Sequence, residues 1–317
     1  MTKIAFIFPG QGSQTVGMGA EFVANSEESK AFYDQADEVL GFSLSNYMLQ
    51  GTQEELTVTY NAQPALLTTG VMVADKLIKA GIKPHFTAGH SLGEYSAFVT
   101  SGVLSFRDAV KVVHKRGLFM DEAVPAGIGA MAAILSLEAE KLQAVCGQVS
   151  ADGETVQLAN LNCPGQIVIS GTKQGVEQAC VAAKEAGAKR AIPLVVSGPF
   201  HSALMEPAAA KLAAEVENVT LSEPIIPVVS NVTAQLLTNV EDIKNEMVEQ
   251  VTNSVLWQQN VETLLAEGVT IFIECGPGKV LSGLVKKIDR SAQVYCVYDE
   301  ASFEQVVEAS KGWAQWV

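Results

Sequence analysis

The chain has 317 residues, 48% of them hydrophobic, and a formal net charge of −14. That length exceeds what one core usually fills, so one large domain with an insert, or two domains, is expected. The acidic balance argues against nucleic acid as a partner, and any acidic substrate must be met by a local basic site.

Lys3 to Phe8 reads as a buried strand, ended by Pro9-Gly10 too early for a secretion signal. No apolar run is long enough to span a bilayer, so a cytoplasmic protein without a membrane partner is expected. The strand runs into Pro9-Gly10-Gln11-Gly12-Ser13-Gln14. This turn lacks both the Gly-Lys-Ser/Thr ending of a P-loop and the Gly-x-Gly-x-x-Gly spacing of a dinucleotide site. It is either a plain strand-to-helix turn or a second source of backbone donors. Glu27 to Leu40 and Gln63 to Ala80 have helical periodicity. Pro64 near the start of the second costs no hydrogen bond there, and Gly81 follows its end.

Pro84 to Ala88 suits a short strand and Glu94 to Val99 a helix. Between them lies Gly89-His90-Ser91-Leu92-Gly93, a Gly-x-Ser-x-Gly in the strand–turn–helix setting of a nucleophile elbow. There the serine hydroxyl projects clear of the sheet, and the following helix turns its amides toward a developing oxyanion. Phe106 to Ala123 is an amphipathic helix that Ser105 can cap, with Asp108 three residues on. Arg116 lies within it, and by position alone it is an ordinary solvated face residue.

After Pro125-Ala126-Gly127 the pattern is strand Gly129 to Leu135, helix Leu137 to Val145 and strands Val156 to Leu161 and Gln166 to Ser170. Helix Gln174 to Ala186 and strand Arg190 to Val195 complete it. This β-α-β-β-α-β order is ferredoxin-like and predicts a small domain over 127–198, inserted into a large α/β domain formed by 1–126 and 199–317. Beyond the return at Gly198-Pro199 come helix Ala203 to Val216, a proline-edged strand Pro224 to Val229, and helices Val240 to Val251 and Val261 to Leu265. Strand Ile271 to Cys275, the turn Gly276-Pro277-Gly278 and helix Val280 to Ile288 follow. Strand Val294 to Val297 and helix Phe303 to Ala309 close the pattern, leaving Lys311 to Val317 as a loose tail. The five cysteines are widely spaced and form no Cys-x-x-Cys pair, so they read as reduced thiols and not as a metal site.

A serine at an elbow needs a base, because its neutral hydroxyl is a poor nucleophile. The chain has four histidines. His90 is adjacent to Ser91 in an extended segment, so its side chain leaves on the opposite side. His85 precedes the strand, and His114 sits on a charged helix near Lys111 and Lys115. His201 lies at the exit of the insert, where two domains would form a cleft, and elimination favours it.

These segments also carry a resemblance. The Pro9–Gln14 turn, Gly89-His90-Ser91-Leu92-Gly93-Glu94-Tyr95, Arg116-Gly117, Phe200-His201-Ser202 and Glu274-Cys275-Gly276-Pro277-Gly278 occur in order from Lys3 to about Ile288. Together they resemble the malonyl-CoA:acyl carrier protein transacylases of bacterial fatty acid synthesis. That family's fold is α/β-hydrolase-like with a ferredoxin-like insert. The resemblance implies a ping-pong acyltransferase with malonyl-CoA and holo acyl carrier protein as partners and no cofactor. It implies Ser91 as nucleophile and His201 as base, oriented by the backbone carbonyl of Gln250. The amides of Gln11 and Leu92 become the oxyanion hole. Arg116 pairs with the malonyl carboxylate, and Gln63, Met120 and Phe200 help line the acyl pocket. Phe200 should disfavour a methyl branch, although it could equally serve only to pack the domain junction. An acidic carrier protein would dock on a local basic rim, with Lys189, Arg190, Lys286 and Lys287 as candidates. Nothing demands more than a monomer. A plain serine esterase shares the elbow and could nominate Asp121 or Asp152 as third member, but it leaves Arg116 and the Gly10-Gln11-Gly12 loop without a role. A non-catalytic carrier-docking subunit would need neither Ser91 nor His201.

Overall fold

Within Lys3–Phe8, Ile4, Phe6 and Phe8 enter one hydrophobic core while Ala5 and Ile7 enter another. A strand's side chains alternate between its faces, so a sheet covered on both sides needs apolar residues at every position. That is why the segment reads as a continuous apolar run. The computed structural model describes residues 2–125 and 127–313, and the protein is a mixed α/β fold built on two sheets.

The strands in chain order are β1 Lys3–Phe8, β2 Phe86–Gly89, β3 Gly129–Leu135, β4 Val156–Cys163 and β5 Gln166–Thr172. They continue as β6 Arg190–Pro193, β7 Val228–Val229, β8 Leu236–Leu237, β9 Val269–Cys275 and β10 Gln293–Val297. One sheet has the order β10-β9-β1-β2-β7-β8 and is parallel except for the β7–β8 pair. The other has the order β4-β5-β3-β6 and is antiparallel throughout. Helices Ala139–Ala151 and Lys173–Glu185 contribute buried residues to its core. The two units are laced by backbone: Leu161 N donates to Val255 O and Val255 N to Ala159 O, at 2.9 and 2.8 Å. The domain boundary expected at 126 falls on Ala126, outside the described residues.

Helix Phe106–Ala123 has the expected bounds, and Ser105 Oγ accepts from Asp108 N at its start. Helix Thr59–Lys79 begins four residues earlier than periodicity indicated, so Pro64 is inside it and not at its first turn. Proline removes the amide that would have bonded to Tyr60 O. His114 Nδ1 takes that place, 2.7 Å from Tyr60 O, donating from the crossing helix 106–123. The two helices approach so closely at Gly117 that a Cβ there would lie 2.6 Å from Tyr60 Cα. This crossing sets the depth at which Arg116 meets the residues of the first helix.

The expected strand Pro224–Val229 shrinks to Val228–Val229, because Pro224 and Pro227 have no amide to offer a ladder. Short helices Ala20–Asn25, Leu44–Leu49 and Gln53–Thr57 were not legible in the periodicity, being too brief to show a repeat. Of the expected tail, Trp313 packs its ring 5.5 Å from that of Tyr295, and 314–317 lie outside the described residues. No helix among the described residues is long and apolar enough to cross a membrane.

Candidate active site

The site forms where β1 and β2 end side by side. The two strands are parallel and in register, Phe8 opposite Gly89, so Gln11 and Ser91 leave the sheet at the same edge. Space there is the limiting quantity. A Cβ on Gly89 would lie 1.9 Å from the Gly93 carbonyl carbon, and one on Gly93 would lie 2.0 Å from Phe8 O. Only glycine fits at either position. Ser91 has φ +51°, a left-handed conformation that costs about 1–3 kcal/mol for a side-chain-bearing residue. The surroundings hold it there: Ser91 N donates to Asn231 Oδ1 at 2.8 Å, and His90 N donates to Phe8 O at 3.0 Å. Helix Gly93–Thr100 starts immediately behind the serine.

His201 also has positive φ, +57°, at the return from the small unit. Its carbonyl accepts from Gln157 Nε2 on β4, and Gln157 Oε1 accepts from Ala203 N. The imidazole is buried, with Nε2 2.7 Å from Ser91 Oγ and Nδ1 2.8 Å from the backbone carbonyl of Gln250. A carbonyl can only accept, so Nδ1 carries the proton and Nε2 is left to accept from the serine hydroxyl. Burial, with the Arg116 charge adding to it, pushes the imidazole pKa down to about 3. The ring is therefore neutral at physiological pH. His90 turns the other way: its Nε2 lies 2.8 Å from Asn162 Oδ1 and its ring packs against Trp257.

Arg116 is not a solvated face residue; it is only 1% exposed. Its Nη1 donates to Gln63 Oε1 at 2.8 Å, and its Nη2 donates to Gln250 Oε1 at 2.8 Å and to Ser91 Oγ at 3.3 Å. The guanidinium lies over the Tyr95 ring, 5.6 Å from its centroid. No carboxylate pairs with it among the described residues, and its Nε has no partner there. A buried cation held only by neutral oxygens suits a ligand that brings its own carboxylate. Gln63 is fully buried and also donates to Met120 Sδ at 3.5 Å.

A cavity of about 180 Å³ joins these groups. Gln11, Ser91, Leu92, Arg116, Met120, Phe200 and His201 all line it. One wall is the exposed apolar run Leu194-Val195-Val196. Of the basic candidates, Lys189 and Arg190 are exposed at the start of β6. Lys286 and Lys287 are exposed as well, but already engaged: Lys286 Nζ donates to Ala292 O at 2.6 Å and Lys287 Nζ to Gln166 Oε1 at 3.0 Å.

A profile of the acyl transferase domain matches residues 5–307. The chain belongs to the acyl transferase family. Among its relatives, the malonyl CoA-acyl carrier protein transacylase of Bacillus subtilis (strain 168) is 56% identical over 98% of each chain. The crystal structure of an acyl carrier protein S-malonyltransferase from Vibrio cholerae superposes with a TM-score of 0.94 at 45% identity. That match covers 96% of this chain and 100% of the other. A malonyl-transacylase in complex with a type II polyketide synthase acyl-carrier protein also scores 0.94, at 43% identity over 97% and 100% of the two chains.

An acyl transferase needs a nucleophile, a base, donors for an oxyanion and a means of choosing the acyl group. In this one the nucleophile and base candidates touch, and the basic side chain stands within hydrogen-bonding distance of both the serine and Gln250. Sequence reasoning missed four polar residues that hold them: Glu94, Gln157, Asn231 and Asn260. Glu94 carried the one available signal, since it sits on the first turn after the elbow, where a carboxylate normally faces solvent. Asn231 and Asn260 come from remote segments and carried none.

The low imidazole pKa has a direct consequence. A base works in its unprotonated form, and His201 keeps that form as pH falls through 6.5. The value of kcat/KM for Ser91 acylation, which reports the free protein, is expected to stay level from pH 8 to about pH 5. Stopped-flow or quenched acylation measured across that range checks it; an acid limb centred near 6.5 contradicts the buried, neutral imidazole.

Proposed function

We propose that this protein carries a malonyl group from malonyl-CoA to the phosphopantetheine thiol of holo acyl carrier protein, through a malonyl ester on Ser91, in support of fatty acid synthesis. The observation that carries the reading is the buried Arg116 beside the serine hydroxyl, held by the neutral amides of Gln63 and Gln250. The names of the relatives point the same way.

In the proposed first half-reaction, Ser91 Oγ attacks the thioester carbonyl while His201 Nε2 takes its proton. The Gln250 carbonyl holds the imidazolium that forms, through Nδ1–H. Charge on the former carbonyl oxygen is received by the amides of Gln11 and Leu92, each such donor being worth about 3–4 kcal/mol. Collapse breaks the C–S bond, and His201 returns the proton to the leaving thiolate of coenzyme A. In the second half-reaction the carrier thiol gives its proton to His201 and attacks the malonyl ester, and Ser91 Oγ leaves with that proton. One thioester is replaced by another of similar energy, so the exchange needs no metal, nucleotide or redox cofactor.

Selection of malonyl falls to Arg116. Its planar fork binds a carboxylate with two parallel hydrogen bonds, whereas an acetyl group leaves the buried guanidinium without an anionic partner. Met120 and Phe200, which share the cavity, limit the width of the acyl group, and Phe200 disfavours a methyl branch. The finer fold reading accompanies this function. We take residues 1–126 and 199–317 as an α/β-hydrolase-like catalytic domain and 127–198 as a ferredoxin-like insert. The second-third-first-fourth order of β4-β5-β3-β6 supports the latter. The protein acts as a cytoplasmic monomer, and its carrier docks against a basic rim that includes Lys189, Arg190, Lys286 and Lys287.

Intact mass after mixing with malonyl-CoA tests the reaction: a malonyl adduct on the Ser91 peptide is expected, lost on addition of holo acyl carrier protein. Absence of the adduct, or its loss to water at the same rate without the carrier, overturns the reading. Arg116→Ala is expected to lower malonyl acylation at least about tenfold more than acetyl acylation, given the ~1–3 kcal/mol scale of an unmet buried group. Equal losses would remove Arg116 from acyl selection. Lys189→Glu with Arg190→Glu is expected to raise KM for the acidic carrier severalfold in low salt and much less in high salt. An unchanged KM dismisses that part of the rim.

A further inference from the structure

The primary amide of Gln250 is oriented by its neighbours. Its Nε2 donates to Ser91 O at 3.0 Å and to Glu94 Oε2, and its Oε1 accepts from Arg116 Nη2 at 2.8 Å. Only one orientation satisfies this set. A guanidinium has donors and no acceptor, so the amide oxygen must face Arg116. The amide nitrogen then needs acceptors on the other side, and the side chains that provide them are Glu94 at close range and Asn231 Oδ1 at 3.4 Å.

Glu94 is fully buried, although it lies on the first turn after the elbow. Its second oxygen, Oε1, accepts from Asn231 N at 2.8 Å. Asn231 in turn accepts from Ser91 N through Oδ1 and donates to Gly89 O at 2.7 Å through Nδ2. One carboxyl thus braces both the turn that carries Ser91 and the amide that meets Arg116. Burial, with the nearby charge of Glu246 adding to it, pushes the Glu94 carboxyl well above the usual carboxylate range. Glu246 meets the Glu94 carboxyl directly, and its oxygens also accept from Ser230 Oγ and Val232 N. A protonated Glu94 still accepts from Gln250 Nε2, so the polarity of the chain from Glu94 to Gln250 to Arg116 is the same in either state.

We propose that Glu94 is a positioning residue for acyl selection: by accepting from Gln250 Nε2 it turns Gln250 Oε1 toward Arg116 and so sets the guanidinium that receives the substrate carboxylate. The inference rests on the malonyl-transfer reading and deepens it, since Glu94 itself touches no substrate. A side chain with a donor in place of that acceptor would set two NH₂ groups against each other. Either the Gln250 amide turns over, presenting NH₂ to the cation, or the contact parts. Both outcomes loosen Arg116, and any effect they have on Ser91 or His201 falls on malonyl and acetyl transfer alike.

The test is Glu94→Gln, which keeps the size of the side chain and the acceptor for Asn231 N. Single-turnover acylation by malonyl-CoA and by acetyl-CoA is measured in parallel on wild type, Glu94→Gln and Glu274→Gln, with circular dichroism on each. The malonyl-to-acetyl rate ratio of Glu94→Gln is expected to fall about tenfold or more, the scale of one hydrogen bond to a charged group. Glu274→Gln, the same change at a buried carboxyl that accepts from Leu281 N and Ser282 N and has no link to Gln250, is expected to keep the wild-type ratio. A folded Glu94→Gln with an unchanged ratio overturns the proposal, as does an equal fall in Glu274→Gln. Should Glu94→Gln not fold, Gln250→Met interrupts the same chain one link later. It keeps the backbone carbonyl that meets His201, and an unchanged ratio in it overturns the proposal equally. Failure of wild type to take up malonyl at all counts against the functional reading and is seen separately.

Discussion

The constraint on which the site depends is a close approach of backbones. Where Gly93 lies against the Phe8 carbonyl and Gly89 against Gly93, no side-chain carbon fits. The approach is possible because β1 and β2 are parallel neighbours in register, so their exits rise together from one sheet edge. It leaves Ser91 in a left-handed turn at the top of the sheet, with the Gln11 loop beside it. A Cβ at Gly93 would displace the elbow from β1, and the serine and that loop would no longer share a cavity. The strain at Ser91 is offset by the hydrogen bonds of Asn231 and Phe8 around it.

A second constraint is electrostatic. The cavity buries a guanidinium and an imidazole next to each other. Burial favours the neutral imidazole, the neighbouring guanidinium charge adds to this, and the imidazole gives up its proton. The arginine keeps its charge because it binds protons far more tightly. It finds neutral oxygens in Gln63 and Gln250, with the Tyr95 ring close by. Gln250 serves both groups at once: its backbone carbonyl meets the imidazole and its side chain meets the guanidinium. A change that moves Gln250 therefore acts on both.

Much of this was legible before any coordinates. Lys3–Phe8 and Phe106–Ala123 have the bounds that apolar patterning and capping gave them. The glycine spacing around Ser91 pointed to an elbow because close backbone contact leaves that trace in any sequence. Patterning failed where a tertiary contact replaced a local one. Pro64 looked like a helix start because it lacks an amide, yet the helix runs on through it since His114 of the crossing helix satisfies Tyr60 O. Arg116 looked solvated because a helix face that buries a single cation shows no period. Glu94 looked like a first-turn surface carboxylate for the same reason, since its partners lie at Asn231 and Gln250, far along the chain.

The sequence by itself determined the longer elements, their α/β order and the local geometry of the elbow. These follow from short-range rules: alternation, helical period, capping and the absence of Cβ at glycine. It also singled out His201 among four histidines, by position and elimination. What only the tertiary structure decided is which groups meet. The approach of His201 Nε2 to Ser91 Oγ, the burial of Arg116 and the two-sided use of Gln250 join residues as much as 159 apart. No local pattern encodes them, because each depends on how the two sheets and the helix crossing at Gly117 are packed together.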